Sequence, residues 1–77
     1  MKYSVTTGTH YRAAIALGFF EKFASNDMIA GKLRDAGFVD VVVTGSGSER
    51  VATGEWSGAP QAADLPDQIT RVDVIKP

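Results

Sequence analysis

The stretch Ser25-Asn26-Asp27-Met28-Ile29-Ala30-Gly31-Lys32-Leu33-Arg34-Asp35-Ala36-Gly37-Phe38-Val39-Asp40-Val41-Val42-Val43-Thr44 carries the clearest structural instructions in the chain. Ser25 or Asn26 can accept a backbone N–H at a helix start, and Asp27 suits the positive end of the helix dipole. Over residues 28–36, Ile29, Leu33 and Ala36 then share one helical face, with Lys32, Arg34 and Asp35 turned away. Gly37 stops the helix as a residue free to adopt positive φ, and Phe38 is placed to pack back on the last turn. Residues 39–44 follow as a strand, with Val39, Val41 and Val43 toward a core and Asp40 and Val42 on the other face.

Reading toward the C-terminus, Gly45-Ser46-Gly47-Ser48 is a turn, and residues 50–57 resume extended structure to complete a β-hairpin. Ala52, Gly54 and Trp56 fall on one face of that second strand; Val51, Thr53 and Glu55 fall on the other. Pro60 and Pro66 make residues 58–67 a loop with at most one helical turn near 61–64, since an internal proline removes a helix hydrogen bond. Residues 69–75 close the chain as a strand, with Ile69, Arg71, Asp73 and Ile75 on one face and Val72 and Val74 on the other.

Toward the N-terminus, residues 2–7 alternate and are rich in β-branched and aromatic types, which predicts a strand with Tyr3 and Val5 on one face. Residues 11–24 are ambiguous. Ile15, Phe19 and Phe23 recur at i, i+4 and i+8, which predicts a helix. Gly18 weakens that helix by about 1 kcal/mol relative to Ala. A hairpin folding residues 11–17 back onto the first strand is the alternative. The fold expected is a single α+β domain over residues 1–77, a mostly antiparallel sheet with one or two helices on one face. Its order is β-α-β-β-(loop)-β, ferredoxin-like with the second helix shortened.

A chain of 77 residues makes one thin-cored domain. It has no cysteine, so disulfides and thiolate metal sites are both absent, and self-association is the expected remaining support. Eight basic and nine acidic residues are dispersed, for a net charge of −1. That is not the basic stripe that phosphate binding requires, so no nucleic-acid partner is expected. Residues 1–7 lack the apolar core of a secretory leader, and residues 13–20 are too short an apolar run for a membrane span. A cytoplasmic location and no membrane partner are the expectation.

Chemistry-bearing constellations are scarce. His10 is the single histidine, and spacing places no nucleophile or acidic partner beside it; a surface or capping role outweighs general-base work. The Gly45–Ser48 turn offers backbone N–H groups to an anion but lacks the Gly-Lys-Ser/Thr ending of a phosphate loop. The carboxylates follow no calcium-loop order and no histidine–carboxylate zinc pattern, so no catalytic residue, metal or cofactor is expected. Binding residues are sought instead among Arg50 and Trp56, as hot-spot types on the hairpin, and Phe19 and Phe20 in the dense aromatic run that ends at Phe23. Burial of Trp56 between helix and sheet is the competing reading. On a helix, positions 19 and 20 lie about 100° apart, so one of those rings would face an interface.

Tyr3-Ser4-Val5, the run from Ile29 through Leu33 to Gly37-Phe38, and Arg50-Val51-Ala52-Thr53-Gly54-Glu55-Trp56 together resemble SPOR domains. Those are peptidoglycan-binding modules with a βαββαβ fold. The matching motifs are a Y-x-V strand, a helix ending L-x-x-x-G-[FY] and a strand R-V-x-x-G-x-[FW]. The chain departs from the family in the long segment 8–24, in Pro66 and in lacking Gln after Val5. The resemblance implies glycan binding near Arg50 and Trp56. The function expected from the residues themselves is a non-catalytic interaction or self-assembly module, with a protein partner or a second copy, in the stand-alone format of a bacterial or bacteriophage accessory protein. SPOR-like glycan binding and a small enzyme using His10 are the alternatives.

Overall fold

The computed structural model describes residues 2–19 and 21–76. Six strands and one α-helix run in the order β1 (Lys2–Val5), β2 (His10–Ala16), a 3-10 turn (Glu21–Phe23), α1 (Asn26–Ala36), β3 (Phe38–Ser46), β4 (Glu49–Trp56), β5 (Gln61–Asp64) and β6 (Ile69–Ile75). Strands β3-β4-β2-β6 form one antiparallel sheet in that spatial order, and β1 pairs with β5 in a separate two-stranded ribbon. The α+β class and the mostly antiparallel sheet are as expected; the linear order of elements is not, because β2 and β5 are additional strands.

Helix α1 forms where its local signals place it. Ser25 Oγ accepts from the Met28 N–H at 3.1 Å. Gly37 caps the other end at φ 121°, its N–H bonded to the Arg34 carbonyl. Ile29, Ala30 and Leu33 are buried, and the helix packs on β3. The ribbon covers the rest of the same sheet face. Val5, Ala63 and Leu65 from the ribbon segment join Tyr11, Ile15, Phe38, Ala52, Trp56 and Ile69 in one core. Along that core, Tyr3–Tyr11, Tyr11–Phe38 and Phe38–Trp56 meet edge to face at 5.8, 6.4 and 5.1 Å between centroids.

Residues 11–24 do not form the predicted helix. Tyr11, Ala13 and Ile15 also alternate at period two, and pairing on both sides, with β4 and β6, outweighs a helical propensity supplied mainly by alanines. The hairpin alternative has the strand but not its partner, since β2 does not pair with β1. Ile15 reaches the core while Phe19 and Phe23 stay in solvent. Residues 61–64, read as loop, form β5 because β1 offers an antiparallel partner, Tyr3 standing opposite Ala63.

Two irregularities redirect side chains that strict alternation misplaces. In β3, register with β4 shifts between Val39 and Val42, with Asp40 at φ 53°. Val39 therefore stands exposed opposite Glu55 instead of in the core, while Val41 and Val43 still pack against it. In β6, a shift opposite Ala14 and Ile15 brings both Ile69 and Val72 to the core side.

Candidate functional site

Arg50 lies on the helix-covered face of β4, at the same parity as Ala52, Gly54 and Trp56, and is only 6% exposed. Its guanidinium makes three bonds to neutral acceptors: Nε to the Gly47 carbonyl at 3.1 Å, Nη1 to Asn26 Oδ1 at 2.7 Å and Nη2 to the Lys22 carbonyl at 2.9 Å. One side chain thus ties together the hairpin turn, the 3-10 turn and the first residue of α1. Trp56 is 3% exposed, donates Nε1–H to the Ala59 carbonyl at 2.9 Å, and lies against Gly37 and Gly58. The exposed-surface reading of these two residues is corrected: both face the core, Trp56 in the helix–sheet position of the competing reading. Covalent parity along β4 put Arg50 inside, and the bonds it finds there compensate its burial.

Phe19 is 70% and Phe23 78% exposed, and the Lys22 ammonium sits 4.6 and 5.4 Å from their ring centroids. Phe20 lies outside the described residues. Beside this segment an apolar groove of about 270 Å³ opens between α1, the end of β2 and the β5–β6 loop, walled by Ile15, Leu17, Ile29, Leu33 and Ile69. Glu21 closes one side of its mouth, accepting from the Gly18 N–H at 2.9 Å and from the Gln68 amide. The Gly18 backbone bond, helped by Gln68, lowers the Glu21 carboxyl below its ordinary value.

His10 stands directly across from Glu55, Nε2 to Oε1 at 3.0 Å. The acidic neighbour that an enzyme would need is therefore present, missed in sequence because cross-strand partners are not readable from spacing. The imidazole is 57% exposed at the open end of the sheet, a setting in which such a pair contributes little. The Gly45–Ser48 turn presents carbonyls inward: Gly45 accepts from Asn26 Nδ2, Gly47 from Arg50, and Ser48 from the Leu17 N–H. It is a junction between elements, and its carbonyls would repel an anion there. Among the described residues no group of His, Asp and Glu could hold a metal, and no helix is long and apolar enough to cross a membrane.

Among the described residues, no element covers the opposite face of the sheet. Val42 on β3, Val51 on β4 and Ala14 on β2 run across it, Ala14 directly opposite Val51, and none of the three is buried. Arg12, Glu49 and Glu55 flank this stripe on β2 and β4. Alternation placed Val42 and Val51 on the outward faces of their strands; the order of the strands is what makes them neighbours. No family model, curated protein or solved structure matches the chain.

Proposed function

We propose that the chain is a non-catalytic interaction module that works by self-association. The observation that carries this reading is the uncovered sheet face and its β3 border, where Val39, opposite Glu55, and Val42, diagonal to Val51, stand in solvent. A thin-cored domain without disulfides gains most from burying such side chains against another molecule. Arg50 and Trp56 serve the reading indirectly, by fixing the hairpin that presents those valines. The fold is read as ferredoxin-like on the following ground: β2, α1 and β3 form a crossover with β4 between the two strands, β6 flanks β2, and the β1–β5 ribbon occupies the place of a second helix.

The test is the solution mass by light scattering behind size-exclusion chromatography, from micromolar to millimolar chain. Self-association predicts a mass rising to at least twice the 8.2 kDa of the chain; a constant single-chain mass contradicts it. Peptidoglycan capture of the SPOR type would have to use the uncovered face, since Arg50 and Trp56 are core residues. Purified sacculi that leave all the protein in the supernatant would exclude it.

A further inference from the structure

The open sheet has two edges, and they differ in kind. β6 carries Arg71 and Asp73, whose side chains pair at 2.9 Å and remain largely in water. Such charges are a usual defence of an edge strand against pairing with another chain. β3 is the other edge. Its single charge is Asp40, at the bulge, and from Val41 to Ser46 it has neither charge nor proline. Between the bulge and Gly45, which turns at φ 100°, lies the segment Val41-Val42-Val43-Thr44, with Val42 57% exposed. It is about 13 Å long at the usual rise of a strand.

We propose that β3 is a self-pairing edge: two copies of the chain join antiparallel along Val41–Thr44 and merge their sheets into one of eight strands. This rests on the self-association reading and names its surface and partner. The register follows from parity. Directly opposed residues of an antiparallel pair share a face, so the two-fold axis must pass through a residue rather than between two. An axis at Val42 sets Val42 against its own copy on the uncovered face and Val41 against Val43 on the helix side. It sets Asp40 against Thr44. No like charges meet, because the two Asp40 positions lie about four strand residues, or about 13 Å, apart. An isologous contact of this kind closes at two chains and leaves the charged β6 edges outermost.

Light scattering and hydrogen exchange test it on three variants and the parent chain. The parent is expected as a dimer whose Val41–Thr44 amides gain protection as concentration rises. Val42→Lys places two lysines directly opposite each other, their Cβ atoms about 5 Å apart, and is expected to raise the dimer dissociation constant at least tenfold. Val42 is exposed, so the circular dichroism and melting of the diluted single chain stay those of the parent. Thr44→Lys faces Asp40 of the other copy and is expected to keep the dimer, which separates this register from its neighbours. Arg71→Glu on β6 is expected to keep it too. A single-chain mass at every concentration overturns both this proposal and the self-association reading. A dimer that survives Val42→Lys, or that Arg71→Glu dissolves, overturns the β3 assignment alone and leaves self-association standing.

Discussion

Replacing Gly37 by alanine sets a methyl group where the structure has no room for one. Gly37 ends α1 at φ 121°, and a Cβ there would lie 2.7 Å from both Cη2 and Cζ3 of Trp56. Carbon atoms rest at about 3.5–4.0 Å, so the ring would have to retreat by about an ångström. It has little freedom to do so: its Nε1–H is bonded to the Ala59 carbonyl at 2.9 Å, and the backbone of Gly58 lies along another part of the indole. Overpacking of this kind costs about 1–3 kcal/mol. The backbone conformation adds about 1–2 kcal/mol for a residue with a Cβ. The sum, about 2–5 kcal/mol, is a large share of the total stability of a 77-residue domain, about 4–12 kcal/mol.

Gly8 provides the comparator. It also has positive φ, 79°, but a Cβ there meets nothing within 4 Å, so Gly8→Ala carries the backbone cost alone, about 1–2 kcal/mol. Urea unfolding followed by far-ultraviolet circular dichroism reads both variants, and also backgrounds that lack the chain's single tryptophan, with the slope against urea unchanged if the unfolded states match. Gly37→Ala should exceed Gly8→Ala by about 1–3 kcal/mol. The excess should shrink in a Trp56→Leu background, where the obstructing ring is gone. Equal losses at the two glycines, or an excess that persists without the indole, would refute the account of Trp56 as a clamped core residue.

Further outcomes concern the junction around Arg50 and the groove mouth. Arg50→Met keeps the length of the stem but strands three acceptors, Asn26 Oδ1 and the Lys22 and Gly47 carbonyls; calorimetric unfolding should show a loss of about 2–4 kcal/mol. A loss under about 0.5 kcal/mol would mean that these bonds are replaced by water at no cost. The Glu21 carboxyl is held below its ordinary 4.5 by the Gly18 N–H and then by Gln68, so its contribution is present above that value and lost as pH falls through the lowered one. The melting temperature of Glu21→Gln should therefore lie below that of the parent at neutral pH, and the gap should close on acidification. A gap independent of pH would remove the charge of Glu21 from the account. Ser25→Ala should cost about 1 kcal/mol by loss of the helix cap to Met28, measured by the same unfolding; no loss would mean that Asn26 caps instead.

Helix α1 was legible because its determinants are local: a cap at Ser25, apolar residues at 29 and 33, and a glycine at 37 act within a dozen residues. The hairpin β3–β4 was legible for the same reason. β2 was not, because His10-Tyr-Arg-Ala-Ala-Ile-Ala satisfies both periods, and the choice is made by two partners, with paired residues from Ala16↔Glu49 to His10↔Ile75 lying 33 to 65 positions apart in sequence. β5 was hidden more deeply, since Gln61-Ala-Ala-Asp has weak strand propensity and exists through its pairing with β1. The burial of Trp56 was legible only as the competing reading, from the size of its side chain. Arg50 shares its parity and was nevertheless sought at the surface, where charge usually belongs; the carbonyls that let it stay inside come from Lys22 and Gly47, and no spacing rule joins those to residue 50. The bulge at Asp40 left Val39 outside, and the uncovered face that gathers Val42, Val51 and Ala14 follows from strand order rather than from any one strand.

Whether two copies of this chain meet along β3 is read from the masses of the parent and of Val42→Lys by light scattering, at matched concentrations just high enough for the parent to dimerise. The parent is expected at close to twice the 8.2 kDa chain mass and the variant at a mass falling toward the single chain, with both folded. Equal masses for the two proteins, whether single or double, would contradict that pairing.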